Sequence, residues 1–252
     1  MDLSTLQTEV EGLTSAAGDM ALKLQSNVPR ELKPDGSIVT SADTVLESWL
    51  RPRLEELVPG TATWGEELGF SEPGPEGLWL VDPIDGTSNF AFGSPLWGVS
   101  VALYRNERIE VGSVSLPGLE EAYSGAVGRG ARRNGEPLPS IQAGAIRPEE
   151  LVSYSDGLMK KFPGIDWPGK MRHNGAFVVD AMFVASQRFR GLVDYKCKLY
   201  DIAASLVICS ELGADIRHVD GAPIDMPSLI EDRKIGYPFL IFPMNSQFLA
   251  EV

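Results

Sequence analysis

Leu3, Leu6, Val10, Leu13, Ala17, Met20, Ala21 and Leu24 recur at intervals of three and four along the start of the chain. This period predicts one amphipathic helix over residues 2 to about 26, capped by Asp2 or Ser4. Its apolar stripe reads as core or subunit interface. Lys33-Pro34-Asp35-Gly36-Ser37 then makes a turn. Val45, Leu46, Trp49, Leu50, Leu54 and Leu57 return to helical spacing, with Ser41 or Asp43 at the start of that helix, where a carboxylate meets unpaired N–H groups. Pro52 lies inside the pattern and should kink or break it. Pro59-Gly60 ends the helix, and Thr61 to Trp64 is a short strand.

Leu78-Trp79-Leu80-Val81 is apolar without alternation, the pattern of a buried strand, and Asp82-Pro83-Ile84-Asp85-Gly86-Thr87 breaks it into a turn. Trp97 to Tyr104, Ile109 to Leu116 and Glu121 to Val127 are rich in Val, Ser, Ala and aromatics, separated by turns at 105–107 and Pro117-Gly118. They predict an antiparallel meander, with further tight turns at 128–130 and Asn134-Gly135. The second half alternates. Leu151 to Tyr154 and Leu192 to Tyr195 read as strands, 175 to about 189 and Asp201 to Leu212 as helices, and 156–169 as a loop or short helix. Ile216 to Val219, a turn at Asp220-Gly221, Tyr237 to Phe242 and a short C-terminal helix complete the chain. Strand and helix alternating in this way suggest an α/β layer.

A length of 252 residues suits one large domain or two small ones; we read a single domain over 1–252 with halves of about 1–140 and 141–252. The net charge of −13 argues against a phosphate-backbone partner, so no nucleic acid is expected. Cys197 and Cys209 show neither zinc-type pairing nor a disulfide framework. The N-terminus lacks a basic and apolar leader, and no run approaches the ~18 apolar residues of a membrane span. We therefore expect a cytoplasmic protein without a membrane partner. Arg129, Arg132 and Arg133 read as surface.

Asp82 and Asp85 stand at the mouth of a buried strand, where unpaired acids are costly. One reading is an Asx-type turn with capping carboxylates. The other is a hard divalent cation, since Mg2+ takes carboxylate and carbonyl oxygens and keeps waters that a phosphate can displace. Gly86 and Thr87 add backbone N–H groups and a hydroxyl suited to an anion. Glu66, in Gly65-Glu66-Glu67, follows a strand that can lie beside the one bearing Asp82. Asp201 opens an apolar helix, as an N-cap or as a metal ligand. Position favours a cap for Asp43, with a role behind a metal ligand as the alternative. His173 and His218 are too few for an imidazole site, and no G-x-S-x-G is present. A carboxylate site without histidine favours Mg2+ over Zn2+. With no P-loop or kinase signature, phosphoryl transfer to water is the simplest chemistry.

Asp82-Pro83-Ile84-Asp85-Gly86-Thr87-Ser88-Asn89-Phe90 resembles the D-P-I-D-G-T-x-N-F signature of the inositol monophosphatase superfamily. These are Mg2+-dependent, lithium-sensitive phosphatases that include fructose-1,6-bisphosphatase-like and histidinol-phosphatase-like members. Gly65-Glu66-Glu67 resembles its G-E-E, Val39-Thr40-Ser41-Ala42-Asp43 its V-T-x-A-D, and Tyr200-Asp201-Ile202-Ala203-Ala204 its W-D-x-A-A-G. The resemblance covers nearly the whole chain. It implies an α+β fold, a layered α/β/α/β/α sandwich with an N-terminal mixed sheet, two helices and a C-terminal α/β half, in homodimers. It further implies that Glu66, Asp82 and the Ile84 carbonyl hold one metal, that Asp82, Asp85 and Asp201 hold a second, and that a third, weaker one touches Glu66. Mg2+ is expected, with Mn2+ as a substitute and Li+ as an inhibitor. Gly86 and Thr87 would contact the phosphate, and Glu66 and Thr87 would orient the attacking water. In two-metal catalysis ions roughly 3.5–4 Å apart activate the water and stabilise the leaving oxygen.

Tyr200 stands where the family has Trp, and Ser205 where it has Gly. The Asp194-to-Leu199 stretch looks shorter than in inositol-type members, which carry there an acid for substrate hydroxyls. Asp194 replaces that acid or the acid is missing, and Lys196 and Lys198 either favour a second anionic group on the substrate or are solvated. The expectation is a phosphomonoesterase for a small phosphate, an inositol monophosphate or related alcohol or sugar phosphate. Histidinol phosphate, fructose 1,6-bisphosphate and a 3′-phosphonucleotide are alternatives. A non-catalytic regulatory relative and a metal-stabilised structural domain are the readings of other classes.

Overall fold

The first apolar stripe forms α1 (Leu3–Gln25), with Leu6, Val10, Ala17 and Ala21 buried. Asp2 caps it, its Oδ1 accepting the N–H groups of Ser4 and Thr5 at 2.9 and 3.1 Å. The computed structural model describes residues 1–25, 30–32, 38–195, 197–233, 235 and 238–246. The expected turn at 33–37, Lys196, Tyr237 and residues 247–252, where the C-terminal helix was expected, lie outside the described residues. A short antiparallel pair, β1 (Arg30–Leu32) and β2 (Ile38–Thr40), leads into α2 (Ser41–Leu57). Of the kink or break expected at Pro52, the break does not occur: α2 runs on through it. Proline removes only the N–H that would bond Ser48, and both Pro52 and Ser48 are exposed, so water can serve that carbonyl.

A seven-stranded sheet follows: β3 (Ala62–Gly65), β4 (Leu78–Asp85), β5 (Gly98–Arg105), β6 (Arg108–Leu116), β7 (Glu121–Ala126), β8 (Gly130–Arg133) and β9 (Glu136–Pro137), in sequence order. Only β3 and β4 run parallel; the rest form the expected meander, extended by β8 and β9. A five-residue helix, α3 (Thr87–Ala91), separates β4 from β5.

The C-terminal half builds a five-stranded sheet of order β11-β10-β12-β14-β13. Its members are β10 (Leu151–Tyr154), β11 (Lys170–Arg172), β12 (Gly191–Asp194), β13 (Ala214–His218) and β14 (Phe239–Pro243). β10 runs parallel to β11 and β12, while β14 is antiparallel to β12 and β13. Its helices are α4 (Asp156–Lys161), α5 (Phe177–Ala185), α6 (Leu199–Glu211) and α7 (Met226–Asp232). The helix expected over 175–189 is shorter, and α7 was not expected.

Alternate residues of β4 enter different cores. Trp79 and Val81 pack with Leu6, Leu46, Leu50 and Leu54 of α1 and α2. Leu78 and Leu80 pack with Ile202, Ala203 and Met182 of α6 and α5. A third cluster joins Val152, Val193 and Leu240 to Leu158 of α4 and Trp167 on the far side of the second sheet. The order is thus helices, sheet, helices, sheet, helix, the predicted α/β/α/β/α layering. A strand covered on both faces has no solvent side, hence the continuous apolar run at 78–81.

Candidate active site

β4 does not stop at Val81, as the sequence suggested; it runs to Asp85 with a register slip between Asp82 and Asp85. Pro83 sits in that slip, where no ladder N–H is needed. Asp82 is 2 % exposed, and its Oδ1 accepts the Ile84 N–H at 2.9 Å. The Asx-type turn weighed from the sequence is therefore present.

The ladder also places Asp201. Asp82 stands opposite Ser100 of β5, whose hydroxyl donates to the Tyr200 carbonyl at 3.2 Å. That bond ties the first turn of α6 to the end of β4. Asp201 is not the N-cap considered from sequence. The helix starts two residues earlier, and Asp201 Oδ2 accepts the N–H of Lys198, the residue before the first turn, at 2.7 Å. It remains a capping carboxylate, acting from the third helical position.

Asp85 caps another helix, its Oδ2 accepting the Val178 N–H near the start of α5 at 2.6 Å. Between Asp85 and α3, Gly86 has φ +87°, and a Cβ there would stand 2.7 Å from the Ala176 Cβ. Only glycine takes that backbone conformation cheaply in so tight a space. The Thr87 hydroxyl lies 3.0 Å from the Ile84 carbonyl and 3.4 Å from Asp43 Oδ1. Asp43 is fully buried, and its Oδ2 accepts the Thr40 N–H at 2.9 Å and hydroxyl at 2.6 Å. Thr40, not Ser41, is the N-cap of α2. Asp43 thus caps the helix, as position suggested, and also touches Thr87.

Glu66 follows β3, which runs parallel beside β4, and its N–H bonds the Val81 carbonyl at 3.3 Å. Its charge bears on Asp43, Asp82, Asp85 and Asp201. Asp194, half-buried at the end of β12, bears on Asp85 and Asp201. Glu66, Asp82, Asp85, Asp194 and Asp201 are therefore neighbours, although they come from four separate stretches of chain. Lys198 is exposed at the start of α6, and Lys196 lies outside the described residues.

Burial, reinforced by neighbouring acids, pushes Asp82 and Asp201 well above the usual carboxylate range. Asp85 and Asp194 rise to about 7 for the same reasons, and Asp43 to about 6. The Cys197 thiol is pushed well up by burial and by Asp194, which its S–H donates to. Among the described residues no three His, Cys, Asp or Glu side chains stand close enough together, as they are, to hold a metal ion. The donor set nevertheless suits a hard cation. All the site's donors are oxygens. One oxygen each of Asp82, Asp85 and Asp201 is anchored to a backbone N–H, which leaves the other for a second partner. A divalent cation would also offset the repulsion that raises these pKa values.

Sequence reasoning missed Glu47, a fully buried carboxylate on α2 beneath the Glu66 loop. Its signal was a Glu at a core-facing position, one residue after Leu46, with Arg51 four residues on.

The sequence model of the Inositol monophosphatase family matches residues 4–237. The chain belongs to this family. A fructose-1,6-bisphosphatase/inositol-1-monophosphatase of Aquifex aeolicus is 29% identical over 92% of this chain and 93% of its own. A histidinol-phosphatase of Mycobacterium tuberculosis is 31% identical over 76% and 78%. The structure of a Thermotoga maritima IMPase superposes with a TM-score of 0.80 at 26% identity, covering 92% of this chain and 89% of that one. The enzyme is a phosphoric monoester hydrolase of this family.

Proposed function

We propose that the protein is a Mg2+-dependent phosphomonoesterase of small soluble phosphates, an inositol monophosphate or a related alcohol or sugar phosphate. The observation that carries this reading is the convergence of Glu66, Asp82, Asp85 and Asp201 beside Gly86 and Thr87. Glu66, Asp82 and the Ile84 carbonyl would hold one cation, and Asp82, Asp85 and Asp201 a second, with a third, weaker ion at Glu66. When bound, Mg2+ supplies a lowered pKa for water and a sink for charge on the leaving oxygen. Mn2+ would substitute and Li+ would inhibit.

The chain's own groups supply position. Gly86 and Thr87 bind the phosphoryl oxygens from the turn after β4. The Thr87 hydroxyl, held between Ile84 O and Asp43, orients the attacking water together with Glu66. Asp43 keeps that hydroxyl in place. Asp85, Asp194 and Asp201 meet the rest of the substrate. The relatives' activities support a sugar or alcohol phosphate, and keep histidinol phosphate and fructose 1,6-bisphosphate beside inositol monophosphate. A 3′-phosphonucleotide is the further alternative. We take 1–252 as one phosphatase domain that works as a cytoplasmic homodimer. Among the described residues no helix is long and apolar enough to cross a membrane.

Phosphate release from myo-inositol 1-phosphate, histidinol phosphate, fructose 1,6-bisphosphate and 3′-phosphoadenosine 5′-phosphate, with Mg2+ and with EDTA, tests this. The expected result is Mg2+-dependent turnover of one compound well above the others, abolished by EDTA. Metal binding without turnover of any of them would assign the chain to the non-catalytic relatives.

A further inference from the structure

Glu47 makes more contacts with the Glu66 loop than any helix-packing role requires. Its Oε2 accepts the Glu67 N–H at 2.7 Å and its Oε1 the Leu68 N–H at 3.1 Å. Arg51, one turn along α2, donates to the same Oε1 from Nε at 2.9 Å and from Nη2 at 2.7 Å. That Nη2 also donates to the Gly69 carbonyl at 2.7 Å, which accepts the Gly65 N–H at 3.2 Å as well. The loop from Gly65 to Gly69 is therefore closed on itself and pinned to α2 at both its donor and its acceptor ends. The Glu66 N–H is held separately by Val81 O at 3.3 Å. Gly65 completes the fit, since a Cβ there would lie 2.0 Å from Glu47 Oε1.

A capping cluster would be satisfied by water at this surface. Here a carboxylate at 0 % exposure is brought under the loop with its own counter-ion. Burying a charge requires partners, and these partners are the two peptides after Glu66. The paired charges also cancel, so the support places no further negative charge among the acids above it. We propose that Glu47 and Arg51 are positioning residues, which hold Glu66 at the separation from Asp82 that a divalent cation needs. The inference rests on the reading of Glu66 as a metal ligand.

Tb3+ is the probe, because a Trp this near the site, Trp64, can sensitise its emission. Trp64 precedes Gly65 and packs edge-on to Tyr200, at 5.9 Å between ring centroids. Tb3+ titrations of the full chain compare wild type, Glu47→Gln, the double variant Glu47→Leu with Arg51→Met, and Glu66→Gln. Gln presents a donor to donors that need an acceptor; the double variant removes both charges together, which spares folding. Expected for both Glu47 variants is a roughly 10–100-fold weaker Tb3+ affinity. Excess Mg2+ should then restore kcat to within roughly threefold with KM unchanged, because the chemistry itself is intact. A lowered Tm with wild-type Tb3+ affinity in Glu47→Gln overturns the proposal and leaves a structural role only. Should Glu47→Gln fail to fold, the double variant decides in the same way. Unchanged Tb3+ binding in Glu66→Gln would instead remove the metal-ligand reading of Glu66, and with it the ground on which the proposal stands.

Discussion

Asp85 and Asp201 each carry two duties in one carboxylate. One oxygen caps a helix, at Val178 or at Lys198, and the proposed function assigns the other to a cation. Asn keeps an acceptor oxygen for the cap and loses the charge. Asp85→Asn and Asp201→Asn should therefore leave the fold intact yet cut kcat/KM by at least about a hundredfold, the scale of losing a ligand or its close support. Circular dichroism and phosphate release on the same preparations check this. Near-wild-type turnover in either variant would refute its role. Both acids were legible in the sequence, because a carboxylate beside Gly-Thr or opening an apolar helix is rare without a cause. Which backbone N–H Asp85 would meet was not, since Val178 is far along the chain from it.

β4 was the most legible element, and its two-sided burial gives it a distinctive energetic signature. Trp79 and Leu80 are fully buried but belong to opposite layers, Trp79 with its Nε1 also donating to the Leu54 carbonyl at 3.1 Å. If both faces are covered, Leu80→Ala and Trp79→Ala should each cost about 2–5 kcal/mol in urea unfolding. A cost under about 1 kcal/mol for either would mean that face is open to solvent. Local pattern misled at several places. Pro52 was expected to kink or break α2, but the helix continues through it, the missing hydrogen bond facing solvent. β4 was expected to end at Val81, whereas a register slip carries it past Pro83. The Asp201 helix begins two residues before its acid, because the first turn is set by Ser100 and the Tyr200 carbonyl.

At the scale of the molecule the acids act together. Asp43, Asp85 and Asp194 move from 3.8 to about 6, 7 and 7 on folding, and Asp82 and Asp201 move the same way. A raised folded pKa means that the native state binds more protons than the unfolded state above pH 3.8. The stability it lends is complete below that pH and is lost as pH rises through about 6–7. The metal-free enzyme should therefore melt at a lower temperature at pH 8 than at pH 5.5, and Mg2+ at pH 8 should restore the difference by mass action. Calorimetry in EDTA and in Mg2+ reads both. A metal-free Tm that climbs over this range would show that these carboxylates do not titrate as a repelling group.

The sequence by itself determined the family and, through that resemblance, the layered α+β architecture; it also named the acids of the candidate site. Period and turn chemistry gave the strands, the helices and the meander, and the family came from a run of residues that few other chemistries need. The tertiary structure alone decided how those acids meet. Their convergence depends on the β4–β5 register, on α5 and α6 delivering backbone groups from more than ninety residues away, and on a Glu47–Arg51 pair whose local pattern is that of any helix salt bridge. Contacts between distant segments are fixed by packing and by the pairing of buried polar groups, and neither leaves a period in the chain.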